Sequence, residues 1–73
     1  MEYSIKDIIE YIIFLINEFA RTFGLTESQA YRYLKNHGGI SFIKQHYGIM
    51  HTLDDRESVE SVAVYCKRNG GKL

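Results

Sequence analysis

The stretch SIKDIIEYIIFLINEFARTFG, residues 4–24, decides the fold. Ser4 and Asp7 have the spacing of a capping box, with aspartate where Glu or Gln is usual. The serine hydroxyl accepts an orphan N–H of the helix start, and Asp7 meets the positive end of the dipole. Projected at 100° per residue, Ile5, Ile8, Ile9, Ile12, Ile16, Phe19 and Phe23 share one stripe. Tyr11 and Leu15 widen it on one side, Ile13 and Ala20 on the other. The apolar arc covers about half the circumference, where a peripheral helix needs little more than about 100°. This first helix is therefore either the centre of the fold or carries a second, intermolecular face. Phe14 falls on the opposite side, among Asp7, Glu10, Asn17, Glu18 and Arg21, and is a candidate partner-surface residue. Gly24 closes the helix, because glycine enters the left-handed region without a Cβ clash.

Working outward, no proline interrupts the chain, so helices stop only at glycines and capping residues. Thr26 and Gln29 form a second capping box, which predicts a helix from Glu27 to about His37 with Ala30, Tyr33, Leu34 and His37 inward. Gly38-Gly39 ends it. Residues 40–47 read as a short two-turn helix stopped by Gly48. Asp54 and Glu57 form a third box before a last helix that ends near Arg68. Val59, Val62, Ala63 and Cys66 share one face of it, so Cys66 reads as a small core residue. The expected fold is all-α: a small orthogonal bundle of three main helices plus one short helix, with the long first helix central. It is a single domain over residues 1–73, with an ordered core at about 4–68 and a tail at 69–73.

The chain has 73 residues, and its 9 Lys+Arg balance its 9 Asp+Glu. One cysteine permits no internal disulfide, so stability must come from helix packing, self-association or a partner. The longest apolar run, residues 11–16, falls far short of the ~20 residues of a membrane span. Met1-Glu2-Tyr3-Ser4 lacks the basic region of a signal peptide, and the expectation is a cytoplasmic protein with a reduced thiol. Zero net charge counts against a dedicated nucleic-acid binder.

The residues that carry chemistry do not converge. His46 and His51 straddle Gly48, which is expected to break the helix between them, and Cys66 points to the core. Neither a metal site nor a cofactor site is expected. Cys66, Ser41 and Thr52 lack the surroundings of an activated nucleophile. Asp54-Asp55 reads as a helix start, and Gly38-Gly39 follows a helix where a phosphate loop precedes one. An enzyme is not expected. Residues 26–47 do have the outline of a helix-turn-helix, with Arg32, Lys35, Ser41, Lys44, Gln45 and His46 as candidate DNA contacts. Against this, Phe42, Ile43 and Tyr47 in the recognition position are residues that a small core claims first.

Three segments carry a family resemblance: Phe14-Leu15-Ile16-Asn17-Glu18, Tyr31-Arg32-Tyr33-Leu34-Lys35, and His46-Tyr47-Gly48-Ile49-Met50-His51-Thr52. Their order resembles a small bacterial family catalogued as domain of unknown function 3791, over residues from about 4 to 68. The most specific part is Tyr47 followed by His51-Thr52. An acidic residue often follows that tyrosine in the family, and this chain has Gly48, which counts against a working carboxylate there. The resemblance implies a small helical protein and supplies no activity. Members lying near genes for proteins that resemble ADP-ribosyltransferases imply an accessory or antitoxin-like partner.

On physical grounds Thr52 turns the chain before the last helix, His51 bonds loop backbone, and Tyr47 lays its ring on the core with its hydroxyl at the rim. The alternative is that Tyr47, His51 and Thr52 form a recognition surface. The function expected first is a non-catalytic protein-interaction module, either a homodimer through the first helix or the partner of a protein encoded beside it. The second is a small DNA-binding or transcription-associated helix-turn-helix protein.

Overall fold

A computed structural model describes residues 3–73, in which four helices account for all regular structure. Helix α1 spans Ile5–Phe23, α2 Glu27–Asn36, α3 Gly39–Met50 and α4 Asp55–Arg68. The three expected side-chain caps are present. Ser4 Oγ accepts the Asp7 N–H at 3.0 Å, and Asp54 Oδ1 accepts that of Glu57 at 2.8 Å. At Thr26 both halves of the box form: Thr26 Oγ1 accepts from the Gln29 N–H at 3.1 Å and Gln29 Oε1 from the Thr26 N–H at 2.9 Å. Gly24, at φ 68°, ends α1.

Helix α1 packs against each of the other three, as expected of a central element. Helix α3 does the same. The two together form the spine on which α2 and α4 are set. The buried core draws on every helix: Leu15 and Phe19 from α1, Ala30 and Leu34 from α2, Ile43 and Met50 from α3, and Val59, Val62 and Cys66 from α4.

Two expectations are corrected. The segment read as a two-turn helix over 40–47 is a 12-residue helix that runs through Gly48 to Met50. Its irregularity is a kink at His46 (φ −110°, ψ 16°), two residues before the glycine. A glycine inside a helix costs only about 1 kcal/mol relative to alanine. Burial of Met50 at the far end of α3 holds the continuation.

The second correction concerns how much of the α1 arc is covered. Of the stripe, Phe19 is buried and Ile8, Ile12, Ile16 and Phe23 are half-buried; Leu15 and Ala20, which widen it on opposite sides, are buried as well. Ile5, Ile9 and Ile13 are left 75%, 49% and 53% exposed. The three buried residues lie in the C-terminal half of α1 and the three solvated isoleucines in its N-terminal half, so the cover changes along the helix axis.

Close approach at the start of α3 explains one glycine. A Cβ on Gly39 would lie 2.8 Å from Cys66 Sγ and 2.9 Å from a Leu34 methyl, so only glycine lets α2, α3 and α4 meet there. The residues read as a tail lie against the body. Gly71 is buried and donates its N–H to the Cys66 carbonyl at 2.9 Å. His37 Nδ1–H donates to the Asn69 carbonyl at 3.0 Å. The Leu73 N–H reaches the Tyr33 hydroxyl at 3.3 Å.

Candidate functional site

Two surfaces collect the residues that the sequence marks for function. The first is a run of aromatic rings where the start of α1 meets the end of α3. His51 stacks on Tyr47 with ring centres 4.6 Å apart and planes 12° apart. Tyr47 meets Tyr11 edge-on at 5.3 Å, and Tyr11 stacks on Phe14 at 6.3 Å. Tyr3 closes the cluster, edge-on to Tyr47 at 4.9 Å and to His51 at 5.3 Å. The structure thus brings Phe14, Tyr47 and His51 into one connected group. Tyr11, which the sequence does not single out as a site residue, connects Phe14 to Tyr47, and Tyr3 packs on Tyr47 and His51.

Hydrogen bonds fix this cluster from behind. The Tyr11 hydroxyl lies 2.9 Å from the Met50 carbonyl and 2.9 Å from Ser58 Oγ, and the Ser58 hydroxyl donates to the same carbonyl at 3.1 Å. His51 Nδ1–H donates to the Tyr47 carbonyl at 2.7 Å, and Thr52 Oγ1 to the Ile49 carbonyl at 2.6 Å. The Tyr11 hydroxyl is held above its ordinary pKa, first by burial and then by the charge of Asp55 and by Tyr47, against the opposing bond from Ser58. Tyr47 is raised as well, by loss of hydration and then by Asp7, Tyr3 and Glu10. Both phenols stay protonated at neutral pH, so neither supplies a base.

The second surface is the isoleucine row of α1. Ile5, Ile9 and Ile13 stand four residues apart and face solvent on one flank of the helix. Beside them a groove of about 490 Å³ is lined by Ile5, Ile8, Ile9, Ile12, Ile40 and Lys44. At its C-terminal end the row runs to the start of α2, where Ile13 and Ile16 meet Glu27 and the half-exposed Tyr31. The half-circumference arc in the sequence is the signal for this surface. What the sequence leaves open is which part of the arc stays uncovered.

The remaining candidates are dispersed. Arg32 and Lys35 are exposed on α2, and Ser41, Lys44, Gln45 and His46 on α3. Lys44 borders the isoleucine groove, while His46 packs on Phe42 at 4.7 Å. His37 is engaged with Tyr33 and Asn69. Cys66 is fully buried, and burial raises its thiol pKa against a weaker opposing bond from the Gly39 backbone. Among the described residues no three His, Cys, Asp or Glu side chains come together as a metal-binding group. No described helix is long and apolar enough to cross a membrane.

Comparison with known proteins adds one match. A family model described as "Protein of unknown function (DUF3791)" matches residues 10–69 of the 73. The matched span takes in the aromatic cluster apart from Tyr3, and Ile13 of the isoleucine row. No curated protein and no solved structure matches the chain.

Proposed function

We propose that this chain, which belongs to the DUF3791 family, is a cytoplasmic, non-catalytic protein-interaction module that binds through the exposed flank of α1. One observation carries the reading: a helix that packs against all three others still leaves Ile5, Ile9 and Ile13 in water. The core is complete without them, since every helix already contributes buried side chains and no buried side-chain polar atom lacks a partner among the described residues. Three solvated isoleucines in one row form a contiguous apolar patch, which marks a contact site more often than scattered apolar residues do. An accessory or antitoxin-like role, in which the chain pairs with the product of a neighbouring gene, is one form of this reading.

The non-catalytic part rests on where the reactive groups lie. The thiol is enclosed in the core, and the three histidines are engaged at separate places.

The test compares tagged wild type with an Ile9→Asp, Ile13→Asp variant after co-expression with the adjacent genes. Exposed positions away from special features change stability by about 0.5 kcal/mol or less, so the variant should fold as the wild type does. It should lose the stoichiometric companion that the wild type retains. Retention of every companion by the folded variant would refute the reading. DNA binding through Arg32, Lys35, Ser41, Lys44, Gln45 and His46 is the second reading, favoured by their exposure on α2 and α3. It requires retention on duplex DNA that falls steeply with salt.

A further inference from the structure

We infer that the isoleucine row of α1 seats a second copy of this chain, with the two α1 helices antiparallel about a twofold axis. The inference deepens the interaction reading above and rests on it.

Area is the first argument. The exposed parts of Ile5, Ile9, Ile13 and Tyr31, with the half-buried isoleucines beside them, offer on the order of 500 Å² of apolar surface, at the upper end of the ~300–600 Å² expected for the largest patch on a monomer. A standard interface covers about 800 Å² per partner and is about 57% non-polar, which requires roughly 450 Å² of apolar surface from each side. The patch meets the need of one such contact and leaves little over. A homodimer face is also the kind that tolerates an apolar centre with few charges.

Charge is the second argument, and it fixes the direction. Lys6 and Lys44 border the N-terminal half of the row, Glu10 its middle and Glu27 its C-terminal end. A parallel pair would set lysine end against lysine end. An antiparallel pair places the lysine end of each copy opposite Glu27 of the other, twice by symmetry. The apolar residues follow the same operation: with the axis near the level of Tyr11, Ile5 of one copy lies opposite Ile16 of the other and Ile9 opposite Ile12. A twofold contact requires such a self-complementary patch.

Sedimentation equilibrium on the full chain tests this. The expected mass at tens of micromolar is twice 8.5 kDa. Ile9→Asp should raise the dissociation constant at least a hundredfold with an unchanged helical circular-dichroism spectrum. Glu27→Lys should raise it about tenfold, and adding Lys6→Glu to that variant should restore most of the loss. A wild-type chain that stays monomeric at millimolar concentration overturns the second copy as the occupant. A dimer indifferent to Ile9→Asp overturns the face, and one indifferent to both charge reversals overturns the antiparallel arrangement. The interaction reading is separable: a monomer that still loses a heterologous companion on Ile9→Asp keeps that reading while ending this one.

Discussion

The hydroxyl of Tyr11 lies 2.9 Å from Ser58 Oγ, joining residues 47 apart in sequence, and both groups converge on the carbonyl of Met50. The knot ties α1, α3 and α4 at the end of the bundle where no glycine-tight packing occurs. It also explains the seating of the aromatic cluster, because the ring that bridges Phe14 and Tyr47 is the one held from behind.

Removing the hydroxyl in Tyr11→Phe should therefore cost about 0.5–1.5 kcal/mol, the net worth of a hydrogen bond. At this chain length that corresponds to a melting temperature lower by roughly 3–10 °C. Ser58→Ala should cost less, because Met50 keeps the Tyr11 donor. The double variant should cost less than the sum of the two, since each single change already breaks the shared contact. Strict additivity in thermal unfolding would show that the two side chains do not act together.

The same burial sets an alkaline limit. Cys66, Tyr11 and Tyr47 all hold their protons more tightly in the fold than their ordinary values of 9.0, 10.0 and 10.0. A group whose folded pKa is raised contributes stability that is fully present below its unfolded pKa and is lost as pH rises through the folded one. The melting temperature should therefore be free of this loss below pH 9.0 and fall above it, first through Cys66 and then through the tyrosines. Tyr11→Phe should start lower and lose less above pH 10.0, as a pH series of thermal melts will show. The thiol itself should react with a disulfide reagent at neutral pH only as fast as the protein opens.

His51 stacks on Tyr47 and donates to its carbonyl, within one turn of the α3 end. His51→Ala should lower the melting temperature by an amount worth about 1 kcal/mol, the scale of one hydrogen bond. Self-association and companion binding through α1 should not change. A loss of binding without a loss of melting temperature would instead make Tyr47, His51 and Thr52 a recognition surface.

Gly39→Ala should be among the most damaging small changes in the chain. The added methyl meets Cys66 Sγ and a Leu34 methyl inside van der Waals distance, and overpacking of this kind costs about 1–3 kcal/mol. Removing the sulfur relieves part of the clash. The penalty of Gly39→Ala should be smaller in a Cys66→Ala background than in the wild type, which equilibrium denaturation in urea measures. An equal penalty in both backgrounds would place the conflict at Leu34 alone.

What the sequence shows well is what local chemistry decides. Ser4, Thr26 and Asp54 each cap the helix they precede, and Val59, Val62 and Cys66 face inward as their spacing requires. What it hides depends on neighbours. The apolar arc of α1 is wide enough to be covered in several ways, and only the packed neighbours decide that Leu15, Phe19 and Ala20 are buried while Ile9 stays in water. The aromatic cluster is hidden for the same reason: Tyr11 and Tyr47 meet across 36 positions that no helical period relates. Gly48 is the opposite case, a residue with a clear local meaning that the tertiary structure overrides.

Gly48 yields the last prediction. It lies within α3 with no positive φ, and a Cβ there would meet the Tyr3 ring at 3.4 Å, an ordinary contact distance. Alanine at this position would spare the backbone entropy that glycine loses on joining a helix, a gain of about 0.5–1 kcal/mol. Gly48→Ala should therefore raise the melting temperature by several degrees. Gly38→Ala makes the contrast, because Gly38 sits at φ 77°, where a side chain is strained, and the Tyr65 ring stands 3.2 Å from the added atom. That change should destabilise by more than the first one stabilises. If the two substitutions gave equal losses, the turn that carries α3 past its kink at His46 to Met50 would have to end at Gly48.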